Sequence, residues 1–303
     1  MQFGMTEEQS MIVDTTRAFV TKELYPHELE VERSGHLPME LVREIQAKAI
    51  EAGLYAANMP EEVGGAGLDT LTWLLYEKEL GRANYALHWT SVARPSNILL
   101  AGTEEQKEKY LFPCIRGEKW DCLAMTEPGA GSDLRGMAAS ARKDGDDWIL
   151  NGTKHFISHA DVADFAIVFM ATGEEDTPRG KKKKITAFFV DKGTPGFEVR
   201  AGYGNVSHRG YTNAVLEFDD CRLPSSAILG EVDKGFVFLS FRNLKRHLQV
   251  VVHRYQRILA FVEVSGDDHV SGLGVFVFER STSDVAQHQI ILQEHGSGQA
   301  DRV

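Results

Sequence analysis

The apolar residues of this chain recur every three to four positions up to about residue 120, and largely every second position beyond it. A 3.6-residue period buries one stripe of a helix, and a two-residue period buries one face of a strand. No single layer of one element type satisfies both halves. The order predicts an α+β fold, with a helical N-terminal domain (1–120) followed by a small antiparallel β-domain (121–235).

In the first half, Thr6 and Gln9 have capping-box spacing ahead of a stripe of Ile12, Thr16, Phe19, Val20 and Leu24. Pro26 is expected to end that helix. A second helix follows Pro38, with Leu41, Ile45, Ala49 and Ala52 on one face and Gly53 as its stop. A third is expected around 71–80. Thr103 and Gln106 repeat the capping-box spacing before a short helix that ends near Pro113.

In the second half, Asp144-Gly145 and Asn151-Gly152 are hairpin dipeptides, because such turns need positive φ. Residues 165–171 and 185–191 are apolar runs short enough for buried strands. Ala214, Leu216 and Phe218 alternate with polar neighbours as in a half-buried strand. The run Lys181, Lys182, Lys183 and Lys184 reads as a solvated loop tip. From residue 236 the texture changes again: the last 68 residues hold one lysine and five of the eleven histidines. A helix over 240–264 and a strand over 272–278 are expected there.

A formal charge of −11 argues against a nucleic-acid partner, because phosphate binding needs a basic face. No apolar run reaches the roughly 20 residues of a membrane span. Cys114, Cys122 and Cys221 share no CxxC spacing and suit a reducing compartment. The first ten residues carry neither a signal-peptide nor a transit-peptide pattern. A cytoplasmic location is expected, or the mitochondrial matrix for a processed form. The histidines form no HxxxH or His/Asp cluster at ligand spacing, so no metal site is expected.

Two segments carry candidate chemistry. MTEPGAGSDLRG (125–136) is a glycine-rich turn whose successive N–H groups can converge on an anionic oxygen, with Thr126 and Ser132 adding hydroxyls. On local pattern alone a tight turn between domains is the favoured reading, since GAGS is not the GxGxxG of a dinucleotide fold. NGTKHFISHADVADFAIVFM (151–170) returns from an Asn-Gly turn with Phe156, Ile157 and Ser158. An aromatic beside a hydroxyl suits a flat heterocycle, and equally a core Phe with a strand-end Ser.

Taken together, five segments resemble the acyl-CoA dehydrogenase family over roughly the first 235 residues. MPEEVGGAGLD (59–69), GTEEQKEKYL (102–111), MTEPGAGSDLRG (125–136), NGTKHFISHADVADFAIV (151–168) and LEFDDCRLPSSAILGE (216–231) occur in that family's order and spacing. The resemblance implies FAD as cofactor and α,β-dehydrogenation of an acyl-CoA thioester, with hydride transfer to flavin N5. It implies electron-transfer flavoprotein as acceptor and a homo-oligomeric, tetrameric assembly.

By the same resemblance Leu123, Met125 and Thr126 contact the isoalloxazine. Gly131 and Ser132 serve the flavin pyrophosphate or the acyl-CoA. Phe156, Ile157 and Ser158 stand where the family usually has Trp-Ile-Thr, keeping an aromatic plane and a hydroxyl. Glu127, placed before a proline, is read as structural. The family's catalytic base is a glutamate from a C-terminal four-helix domain. Here that domain is expected to be truncated or replaced, because the family motifs stop after GEVDKGF and nothing nominates Glu263, Glu279 or Glu294. An out-of-frame tail is one such replacement, testable by translating the encoding DNA in its other frames. The alternatives are a flavin monooxygenase on the same fold and a non-catalytic remnant.

Overall fold

The computed structural model describes residues 4–178, 180–235, 259–261 and 274–276. The expected truncation or replacement of the four-helix domain, including an out-of-frame tail, and most of the helix over 240–264 fall outside the described residues. The chain divides into two units, 1–250 and 251–303. In the second unit Leu259–Phe261 pairs antiparallel with Gly274–Phe276. The expected strand is therefore present, while 259–261 is strand where helix was expected. That stretch lies in ILAFVEV, whose β-branched and aromatic residues favour a ladder once a partner strand is available.

The first half is helical. Both capping boxes form: Thr6 and Gln9 exchange hydrogen bonds at 3.1 Å in each direction, and Thr103 and Gln106 do so at 3.1 and 3.2 Å. α1 (Glu7–Phe19) does not stop at Pro26. A π-helical stretch, Val20–Leu24, carries the chain into α2 (Tyr25–Ser34), where Pro26 occupies the first turn and its missing N–H costs nothing. The same device recurs at Lys107–Leu111, after α6 (Glu104–Gln106), so α7 (Phe112–Ile115) carries Pro113 in its first turn and runs past it. Between these lie α3 (Met39–Glu51), α4 (Thr70–Leu80) and α5 (Tyr85–Ser91). The sequence reading did not anticipate α5, whose seven residues are too few for a period to show.

The β-domain is one eight-stranded sheet, antiparallel except where β1 runs beside β4 and at a single β2–β4 bridge. Its strands are β1 (Asp121–Ala124), β2 (Ser140–Asp144), β3 (Asp147–Ser158), β4 (Phe165–Thr177), β5 (Gly180–Asp191), β6 (Phe197–Gly204), β7 (Thr212–Pro224) and β8 (Ile228–Leu229). The order is β6-β7-β3-β2-β4-β5-β8. β4 and β5 are longer than their apolar runs. Lys181–Lys184 is not a loop tip but part of β5, with Lys183 opposite Glu174, Lys182 opposite Glu175 and Lys181 opposite Asp176. Opposite charges across the ladder replace apolar alternation there.

The continuous apolar run of β4 has a packing cause. Phe165, Ile167 and Phe169 face the helical domain and share a core with Val20, Leu24, Tyr110 and Leu111. Ala166, Val168 and Met170 face inward against Leu150, Ile157, Leu216 and Phe218. A strand covered on both sides reads as unbroken hydrophobicity. Tyr110 seals the junction, stacked on Phe189 at 4.2 Å and tilted against Phe165 at 4.6 Å.

Candidate functional site

β1 delivers Leu123 to the domain junction and runs directly into the glycine-rich turn. The turn is closed by two bonds, Glu127 N–H to the Ala130 carbonyl at 2.9 Å and Ala130 N–H to the Glu127 carbonyl at 3.2 Å. Thr126 is tied to β3, its carbonyl accepting the His155 N–H at 2.9 Å. Gly152 permits the close approach of β3 to residue 139, since a Cβ there would lie 2.5 Å from the Ala139 Cβ.

Beneath the turn lies a buried ion pair. The Lys154 side chain is 0% exposed and that of Glu127 4%. Lys154 Nζ donates to Glu127 Oε1 at 2.6 Å and to the Met125 carbonyl at 3.2 Å. Glu127 Oε2 accepts the N–H of Ala138 at 2.6 Å, and both its oxygens lie 3.2 Å from the N–H of Ala139. Burial pulls the Lys154 ammonium below the usual lysine range, and the Glu127 carboxylate opposes that shift. A carboxylate so sealed and so fully engaged cannot reach a substrate, which agrees with the structural reading of Glu127.

The eight candidate positions fall in three places. Leu123 and Ser158 line a cavity of about 330 Å³ between the two domains, facing Trp89, Thr90 and Arg94 across it. Met125 and Thr126, half-buried, follow Leu123 along the chain but lie outside that lining, and the Thr126 hydroxyl has no partner among the described residues. Gly131 and Ser132 sit on the exposed outer part of the turn, outside that cavity lining. On β3 the alternation is decisive. Ile157 is buried in the inner core and offers the outer surface only its backbone. Phe156 is 51% exposed and packs on Tyr203, ring centroids 4.4 Å apart. A bulge between Lys154 and Ile157 gives Phe156 a φ of +55°, strained for a bulky side chain. The Ser158 hydroxyl donates to the Asn213 side-chain oxygen at 3.4 Å.

The cavity is electrostatically mixed. Burial pushes the Asp121 carboxyl up to about 6, against a hydrogen bond from the Ser96 N–H. Burial, with the Asp121 charge adding to it, raises the Cys114 and Cys122 thiols, which makes them inert. Burial, against the Asp161 charge, lowers His159 to about 4, so it is neutral near pH 7. Arg94 is held by Glu77 in a bidentate pair along its Nε–Nη2 edge and lies over the Trp89 ring at 4.6 Å. Among the described residues no group of histidine, cysteine or acidic side chains has the arrangement of a metal site. Lys154, Asp121 and the cavity itself were missed from sequence. Lys154 alone left a signal, since it falls on the inward parity of β3 with Trp148 and Leu150, where a charge demands a buried partner.

A helical domain packed on one face of a mostly antiparallel β-domain, with a cavity at their junction and the glycine-rich turn following β1, defines a two-domain α+β scaffold. Sequence models of the acyl-CoA dehydrogenase N-terminal and middle domains match residues 6–118 and 122–221. The chain belongs to the acyl-CoA dehydrogenase family. It is 36% identical over 239 residues to the human mitochondrial short-chain specific acyl-CoA dehydrogenase, covering 77% of this chain and 55% of that protein. It is 37% identical over 237 residues to a 3-(aryl)acrylate reductase of Clostridium sporogenes, covering 77% and 60% respectively. A glutaryl-CoA dehydrogenase of Mycobacterium smegmatis, solved in complex with FADH2, superposes with a TM-score of 0.64 at 31% identity, covering 75% of this chain and 56% of that one. The chain thus spans a little over half the length of these relatives. No helix of the described residues is long and apolar enough to cross a membrane.

Proposed function

We propose that this chain forms the flavin-facing and thioester-facing wall of an FAD-dependent acyl-CoA dehydrogenase acting in α,β-dehydrogenation of an acyl-CoA. One observation carries the reading: the glycine-rich turn leaves donors without partners among the described residues. A Cβ on Gly131 would meet no atom within 4 Å, and Gly131 needs no positive φ. Neither its N–H nor that of Ser132 is bonded within the described residues. A glycine that its own fold does not require suits a ligand laid against the backbone, and free N–H groups suit an anionic oxygen. The residues therefore fit the cofactor.

In this reading Gly131 and Ser132 hold pyrophosphate or acyl-CoA oxygens. Leu123, Met125 and Thr126 lie along the isoalloxazine, and Phe156, the Ile157 backbone and Ser158 flank it. When bound, FAD supplies the two-electron acceptor for the β-hydride. The chain's own residues orient the flavin and the thioester and exclude water. The α-proton goes to a base that these residues do not provide, since the one buried glutamate of the wall is sealed beneath Lys154. Electron-transfer flavoprotein is the proposed acceptor. The Clostridium relative supports a second reading, the same hydride transfer run toward reduction of an acrylate double bond.

Anaerobic titration of FAD-loaded protein with a panel of acyl-CoAs tests this. Bleaching of the visible flavin band by a saturated acyl-CoA is the expected result. Reoxidation of pre-reduced protein by an aryl acrylate, with no bleaching, selects the second reading. A protein that takes up no flavin sinks both.

A further inference from the structure

We propose that Lys154 and Glu127 are positioning residues that hold the two ligand-facing segments, 123–126 and 156–158, in one fixed relation. The proposal rests on the flavin-wall reading above.

Three observations carry it. First, the pair is sealed from solvent and from the cavity lining, so it contacts no ligand. Second, its bonds reach both ends of the turn and the strand behind it: Met125 and Glu127 at the entry, Ala138 and Ala139 at the exit, and Lys154 on β3. Third, the neighbouring main-chain bond from His155 to Thr126 ties the same two segments one residue further along.

Bringing both charges out of water costs more than an apolar pair of equal volume. What the charges add is direction, because hydrogen bonds fix angle and distance where apolar contacts allow sliding. A slip of one residue on β3 would turn Phe156 and Ser158 inward and Ile157 outward. The bulge beside Lys154 makes such a slip locally accessible, and the ammonium, held by two fixed acceptors, blocks it.

The test compares wild type with the double variant Glu127→Leu/Lys154→Met by melting temperature, amide hydrogen exchange without flavin, and FAD affinity. The double variant is expected to melt within a few degrees of wild type. Its amides over 125–139 and 155–158 are expected to exchange at least about tenfold faster, and FAD to bind at least about tenfold more weakly. Wild-type exchange and affinity in the double variant would overturn the proposal, leaving the pair as space-filling. If wild type takes up no FAD, the flavin reading fails while the exchange comparison still judges the positioning role. Should the double variant not fold, Glu127→Gln keeps the shape and one acceptor oxygen. It is expected to lose protection at Ala138 and Ala139 and keep it over 148–150. Uniform loss along β3 would mean simple destabilisation and would equally reject the proposal.

Discussion

Single residues at the domain junction set the pH behaviour. The Asp121 carboxyl is raised from 3.8 to about 6 in the folded chain, so the native state holds its proton more tightly than the unfolded chain does. Its contribution to stability is therefore most favourable below 3.8 and falls as pH rises toward 6. Wild type should lose stability relative to Asp121→Asn across that window and track it above, in denaturant midpoints taken at each pH. A constant difference would rule the linkage out. Tyr76 offers a cleaner hydrogen-bond test, its hydroxyl donating to the Leu54 carbonyl at 2.6 Å in the core. Tyr76→Phe should cost about 1–3 kcal/mol, the penalty for an orphaned buried carbonyl. At this scale the sequence was only partly legible. Thr126 and Ser132 announce themselves by type, whereas Asp121 is unusual only through what buries it.

Among the elements, the β4–β5 arm is held by charge where its apolar pairs run out. Lys183 lies 3.3 Å and Lys181 3.5 Å from Glu174, and Lys182 lies 3.8 Å from Glu175. Exposed pairs of this kind contribute about 0.2–1 kcal/mol each and weaken with salt. Lys182→Glu with Lys183→Glu should speed amide exchange over 173–184 and leave the melting temperature of the body within a few degrees. High salt should reduce the contrast with wild type. The strand was not legible because charged residues carry no two-residue apolar period. The helices before Pro26 and Pro113 were legible except at their ends, where one π-helical stretch moved each proline into a tolerated position. At the exit of the β-domain, Asp233 accepts the Thr172 hydroxyl at 2.8 Å, and its N–H donates to Thr186 at 2.8 Å. These two bonds pin Asp233 to β4 and β5.

The whole molecule stands or melts on the shared face of β4 and β5. Tyr110 contributes from the helical side, against Phe165 and Phe189. Tyr110→Ala should cost about 3–5 kcal/mol, as for other large-to-small core changes. Far-UV circular dichroism, dominated by the helices, and the fluorescence of Trp148 in the β-domain, read with Trp73, Trp89 and Trp120 replaced by phenylalanine, should shift together. Separate transitions would show that the two domains do not share one cooperative core. The change of period near residue 120, the capping boxes and the two hydroxyl-bearing segments are local, and the amino-acid order alone specified them. Partnerships between distant segments are not local: Glu127 with Lys154, the cavity between α5 and β1, and the second buried face of β4. They took shape only when the chain folded, because a side chain's pattern along its own element shows which way it faces but not what it will meet there.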